Sequence, residues 1–155
     1  MVNTSAGILL YRVGVDGPDV LIAHPGGPFW ARKDDGAWAI VKGLINDGED
    51  PWTAAQREFR EEVGVDVPAG EPVDLGTVTQ RGGKIVTAFG VAADLDVSNA
   101  VSNTFEIEWP PKSGLMESFP EVDRVEWFPL AQARTKLLAS QHPFLDAVEA
   151  VVAAP

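Results

Sequence analysis

Three glutamates define the chemistry open to this chain. Glu58, Glu61 and Glu62 stand at i, i+3 and i+4, so a helix through them would put all three carboxylates on one face, about one turn apart. Like charges that close repel one another and raise their own pKa values unless a cation sits among them. An all-oxygen cluster suits a hard divalent ion, Mg2+ or Mn2+, better than zinc, which prefers nitrogen and sulfur. The plain alternative is a solvated charged face with Arg57 and Arg60 as salt-bridge partners, the usual fate of surface Glu. Gly43, Glu49 and Arg57 weigh against it: with the glutamates they form the spacing G-x5-E-x7-R-E-U-x-E-E-x-G-U from Gly43 to Val65, where U is apolar. Seven residue types in register favour a site over a surface.

The segment that carries the glutamates reads as a helix from Pro51 to Val63. Asp50 is a good N-cap, Pro51 suits the first turn, and Gly64 stands where a C-terminal stop belongs. Apolar Trp52, Ala55, Phe59 and Val63 recur at helical spacing and make one buried stripe. Strands are expected at Ser5 to Val13, Val20 to Ala23, Trp38 to Val41, Val73 to Thr79, Ile85 to Ala93 and Val125 to Phe128, with a weaker one at Thr104 to Trp109. Turns fall at Val15 to Pro18, Pro25 to Pro28, Asp34 to Gly36 and Arg81 to Gly83. Helices are expected at Leu130 to Ala139 and Phe144 to Ala153. Ser98 to Pro120 is long and interrupted by Pro and Gly, as befits an active-site loop or lid.

The box resembles that of the Nudix hydrolases. The resemblance implies an α/β domain, an α/β/α sandwich with a mixed β-sheet, filling residues 1–155 as a single domain. It implies metal held by the carboxylates of the R-E-x-x-E-E stretch, here Glu58, Glu61 and Glu62, and by the carbonyl of the leading glycine, here Gly43. Glu49 and Arg57 fall where the family has an ion pair that fixes the loop on the helix, so both are expected to give structural support. The implied reaction is Mg2+- or Mn2+-dependent attack of water on a phosphorus within a nucleoside diphosphate or polyphosphate link. Glu61 is then the box carboxylate that doubles as base.

Residues outside the box extend the resemblance. Trp38-Ala39-Ile40-Val41-Lys42-Gly43 resembles the W-x-x-P-K-G segment of Nudix hydrolases that cleave diadenosine polyphosphates, with Val41 where those enzymes carry Pro. Lys42 beside the metal site suits a phosphate. Glu121 stands six residues before Trp127 and resembles the E-x5-W approach to the last strand, which makes it the candidate remote base. Glu117 is second, and Glu106 and Glu108 read as the wet face of a strand. Arg81 and Lys84 flank Gly82-Gly83 and either lean over a polyphosphate or form a plain charged turn. Phe29 and Trp30 either stack a base or, more in keeping with aromatics generally, pack on the body of the protein.

Composition bounds the rest. The chain has 155 residues, enough for one proper core, and a net charge of -11 at pH 7. That charge argues against long nucleic acid, whose affinity comes from Lys and Arg on phosphates, but not against a small phosphorylated substrate brought in with metal. There is no Cys, so disulfides, thiol catalysis and Cys-based zinc sites are excluded. The same absence disfavours an isopentenyl diphosphate isomerase, a Nudix-like activity that relies on Cys. With no signal pattern and no long apolar run, no membrane partner is expected and the cytoplasm is the default compartment. A homodimer remains open. The competing function is a noncatalytic nucleotide-binding or regulatory Nudix module, although such modules usually lose box carboxylates that this chain keeps.

Overall fold

A computed structural model describes residues 3–154. Strand β1 (Thr4–Gly14) is its spine, and hydrophobic alternation is the reason. Ala6, Ile8 and Leu10 point into one core, while Leu9 and Tyr11 point into another. A strand buried on both faces needs a layer on each side. One layer is α1 (Pro51–Val63), whose Ala54, Ala55, Phe59 and Val63 are buried. The other is built from α2 (Leu130–Lys136) and α3 (His142–Ala153), with Phe144, Leu145 and Val148 turned inward. The molecule is therefore an α/β/α sandwich.

Between these layers lies a mixed six-stranded sheet. β1 pairs in parallel with β5 (Ile85–Ala92), which pairs antiparallel with β4 (Val73–Thr79). The other edge of β1 is divided. Ser5 to Ile8 pair with β3 (Val41–Leu44), and Tyr11 to Gly14 pair with β2 (Gly17–Pro25). β2 in turn pairs with β8 (Val122–Pro129). Strands β6 (Thr104–Glu108) and β7 (Met116–Pro120) form a separate hairpin.

Four sequence expectations need correction. Ser98 to Pro120 is not a structureless lid: Thr104–Glu108 found a partner in Met116–Pro120, a strand whose MESFP sequence has no clear alternation. Trp38 to Val41 is not one strand either, because its backbone is shared among three partners. Trp38 bridges Leu137, Ala39 bridges Ala23, and the Ile40 amide donates to Gln141 Oε1 at 2.9 Å before β3 begins. The same bridge ends α2 at Lys136 rather than Ala139, since Leu137 turns extended to meet Trp38 and the Leu138 amide donates to the Trp38 carbonyl. The last helix starts two residues early, at His142. Among the described residues, no helix is long and apolar enough to cross a membrane.

Candidate active site

Helix α1 is set by its ends. The Asp50 carboxylate accepts from the Trp52 and Thr53 amides, Pro51 opens the first turn, and Gly64 leaves it with φ 88°. Burial of Phe59 and Val63 then fixes the rotation of the helix, a packing that for a residue like Phe59 is worth about 3–5 kcal/mol against Ala. With that face inward, Glu58, Glu61 and Glu62 turn toward the end of β3. They do not meet open solvent: together with Lys42, Gly43, Leu44, Asn103 and Glu121 they line a cleft of about 340 Å³.

Arg57 organises the cleft floor. Its Nε and Nη2 donate to the two oxygens of Glu49 at 2.9 Å each, and Nη2 also donates to the Leu44 carbonyl at 2.9 Å. Nη1 donates to Glu58 Oε1 at 2.7 Å and reaches Glu61 Oε2 at 3.4 Å. All five guanidinium protons are thereby engaged. Glu49 also accepts from the Asn46 amide, so the loop between β3 and α1 is tied to the helix at both its start and its end. The Arg57 bonds, with help from that amide, hold the Glu49 carboxyl down at about 2. The Arg57 guanidinium is held further above its ordinary value by Glu49 and Glu58.

The other carboxylates are pushed the opposite way. Burial is the main reason that Glu62 rises to about 8, and the Glu58 charge adds to it while Lys42 opposes it. Burial likewise raises Glu58, despite the Arg57 hydrogen bond. The Lys42 ammonium is lowered, chiefly by burial. Glu62 Oε2 is sealed from solvent without a hydrogen-bond partner. An unpartnered, buried carboxylate oxygen is costly unless a cation completes it. Gly43 is needed at its position because a Cβ there would collide with the Glu58 carboxylate. An all-oxygen donor set with one orphaned oxygen fits a hard divalent ion. Among the described residues no three His, Cys, Asp or Glu groups converge into a complete cage, and Mg2+ in particular keeps several waters rather than requiring one.

Glu121 reaches this cleft through its backbone. Its amide donates to the Asn103 carbonyl at 2.9 Å, and its carbonyl accepts from the Gly26 amide at 3.0 Å. Asn103 in turn donates to the Glu61 carbonyl at 2.7 Å, and Val101 donates to the Val63 carbonyl at 2.9 Å. These bonds satisfy carbonyls in the last turn of α1 that would otherwise be orphaned. The Ser102 hydroxyl accepts from the Val122 amide at 3.0 Å. Residues 101–103 therefore lace α1 to the β7–β8 junction. Asn103 was not singled out from sequence; the available signal was the Ser102-Asn103 pair, short polar side chains that bond neighbouring backbone.

The remaining candidates lie elsewhere. Glu117 is exposed on β7 opposite Ile107 and does not line the cleft. Glu106 and Glu108 are exposed on β6. Arg81 and Lys84 sit on the exposed β4–β5 turn outside the cleft lining, with Lys84 near enough to Lys42 for its charge to contribute to lowering the Lys42 pKa. Phe29 and Trp30 do not pack on the body as aromatics usually do. Phe29 is 63% exposed and Trp30 36%, because Gly26 and Gly27 pass tightly beneath Pro120 and Phe105 and carry the turn outward.

The comparisons with known proteins agree with this architecture. The family model described as NUDIX domain matches residues 1–148. An RNA pyrophosphohydrolase from Rhodospirillum rubrum is 48% identical over 62 residues, 39% of this chain and 36% of that protein. Nudix hydrolase 7 of Arabidopsis thaliana is 40% identical over 47 residues, 30% of this chain and 16% of that protein. The chain thus spans well under half the length of these curated relatives. In fold, the crystal structure of a C. elegans Ap4A hydrolase binary complex is similar with a TM-score of 0.66 at 20% identity, over 96% of this chain and 98% of that one.

Proposed function

Because this chain belongs to the NUDIX family, we propose that it is a Mg2+- or Mn2+-dependent hydrolase of phosphoanhydride bonds in nucleoside diphosphate-linked or polyphosphate substrates, with diadenosine polyphosphates and nucleoside triphosphates foremost. One observation carries the reading: Glu121 shares a cleft with Glu58, Glu61, Glu62, Gly43 and Lys42 although the chain between Glu62 and Glu121 forms two sheets' worth of strands. The segment shared with an RNA pyrophosphohydrolase and the fold shared with an Ap4A hydrolase support the same class of bond.

Glu58, Glu61 and Glu62 with the Gly43 carbonyl would hold the ion. Bound there, it would neutralise phosphate oxygens and allow a water-derived nucleophile to approach phosphorus. Arg57 keeps Glu58 and Glu61 in place, so little side-chain freedom is lost when substrate arrives. Glu121 or Glu61 accepts the proton that water gives up as its oxygen bonds to phosphorus. Lys42 meets the negative charge on the phosphate chain as the bridging P–O bond breaks. Glu49 holds the loop through Arg57 and takes no part in proton transfer. Arg81 and Lys84 are assigned to the distal end of longer phosphate chains.

The test is a Mg2+-dependent screen against dinucleoside polyphosphates, nucleoside triphosphates, nucleotide sugars, ADP-ribose and inositol pyrophosphates, with each product identified. Turnover of at least one nucleoside polyphosphate that stops with EDTA is expected. Nucleotide binding without turnover on any substrate overturns the proposal in favour of a noncatalytic module.

A further inference from the structure

The turn after β2 carries a surface that the cleft chemistry does not use. Phe29 is 63% exposed and stands edge-on to Trp109, with ring centroids 5.5 Å apart at 84°. Trp30 is 36% exposed and lies under the Lys33 ammonium, 4.9 Å from its ring centre. Arg32 and Lys33 are both exposed and, among the described residues, form no ion pair. Two unpaired cations beside open aromatic faces are unusual on a chain with 23 acidic and 12 basic side chains.

The turn is held rigidly. The Lys33 carbonyl is bonded by His24 Nε2 at 2.6 Å, and His24 Nδ1 lies 2.7 Å from Asp123. Trp109 is presented at the end of β6, and Phe105 and Phe119 behind it pair across the hairpin at 6.2 Å. A rigid aromatic face loses little freedom when a flat ring lies on it.

Its position ties it to the cleft. Gly26, whose amide fixes the Glu121 carbonyl, precedes Trp30 by four residues, so their Cα atoms are at most about 14 Å apart. A nucleoside polyphosphate spans that interval from reacting phosphorus to base; a bare phosphate does not. We propose that Phe29 and Trp30, backed by Trp109 and Lys33, form the nucleoside platform of this cleft: the base stacks on the exposed rings while Lys33 and Arg32 meet the phosphate nearest the sugar. The assignment rests on the reading of the cleft as a polyphosphate site. The chemistry favours a single nucleotide over a nucleic-acid strand, since two cations on a chain of net charge -11 do not track a phosphate backbone.

The experiment separates the platform from catalysis. Binding of AMP is measured by equilibrium dialysis in EDTA, where neither metal nor turnover enters, and inorganic tripolyphosphate is hydrolysed in parallel with Mg2+. The double variant Phe29→Ala, Trp30→Ala should bind AMP at least tenfold more weakly, in keeping with the loss of base stacking, and should leave tripolyphosphate turnover unchanged. Trp30→Phe, which keeps a flat face, should retain most of the AMP affinity. Both substituted residues are exposed, so the fold should persist. Unchanged AMP binding in the double variant overturns the platform, as does equal loss of AMP binding and tripolyphosphate turnover. Absence of AMP binding by the parent protein also overturns it, and so does self-association that depends on Phe29 while AMP binding does not. A parent that binds AMP but hydrolyses nothing leaves the platform standing and sinks the hydrolase reading instead.

Discussion

The amide of Gly26 donates to the carbonyl of Glu121 at 3.0 Å, and a side chain at position 26 would collide with the neighbouring Pro120 carbonyl. Glu121 is therefore aimed into the cleft by a glycine on another strand. Gly26→Ala must push the β7–β8 junction away. Turnover should fall at least tenfold, since small displacements of a catalytic group cost that much or more. Mn2+ affinity, read by electron paramagnetic resonance, should change less than threefold. An Ala variant with parental kcat would show that the contact does not aim Glu121.

Glu121→Gln removes a proton acceptor without changing side-chain size. It should lower kcat by about a hundredfold with little change in KM, as for an interaction made mainly in the transition state. Glu117→Gln, exposed on β7, should be kinetically silent. A silent Glu121→Gln would leave the proton with Glu61, and a crippled Glu117→Gln would contradict the cleft lining.

Arg57→Ala leaves five hydrogen bonds unmade at the junction of loop and helix. Both melting temperature and activity should drop, the former by several degrees on calorimetry. Arg57→Lys should recover only part of the loss, because an ammonium does not reproduce the two-sided fork. Parental melting and activity in Arg57→Ala would remove the supporting role assigned to the Glu49 pair.

Glu62 links pH to both stability and metal. Its carboxyl lies at about 8 in the folded protein against an ordinary value near 4.5. The metal-free native state thus holds more protons than the unfolded chain between those values, and its stability must fall as pH rises through that window. The melting temperature in EDTA should be lower at pH 8 than at pH 5.5, and Glu62→Gln should flatten the slope. Metal needs the ionised carboxylate, so Mg2+ affinity should climb with pH up to about 8 with release of a proton. A pH-independent metal affinity would contradict this. In turnover, Glu62→Gln should lose at least about a hundredfold even at saturating Mg2+.

Lys42→Ala should raise KM, and more for four-phosphate than for two-phosphate substrates, because a longer chain offers the ammonium more charge. Steady-state kinetics on ADP-ribose and diadenosine tetraphosphate would decide it. Equal effects would remove the reason to favour long polyphosphates.

The sequence was most readable where the physics is local. Asp50, Pro51 and Gly64 announce α1 by their own backbone chemistry, and alternation along Ser5 to Val13 announces a doubly buried strand. What stayed hidden depends on pairing across the chain. Met116–Pro120 carries no pattern of its own and is a strand because Thr104–Glu108 lies beside it. Trp38 looks like strand yet its amide is answered by the Lys136 carbonyl, nearly a hundred residues away. The spacing around Glu58, Glu61 and Glu62 pointed to their cluster, but no spacing rule brings Gly26 or Asn103 to Glu121. Those contacts exist only after the sheet has closed.

The divided edge of β1 has a consequence for how this domain can change over generations. The half from Ser5 to Ile8 carries β3 and with it the loop and helix of the carboxylates, whereas the half from Tyr11 to Gly14 carries β2, which leads to the aromatic turn and to β8. Chemistry and recognition hang from different ends of one strand. Insertions or substitutions in the turn from Gly27 to Lys33 can accumulate without disturbing the register that presents the acids, provided Gly26 is kept. Such a scaffold can exchange one leaving group for another while inheriting the same bond-breaking apparatus intact.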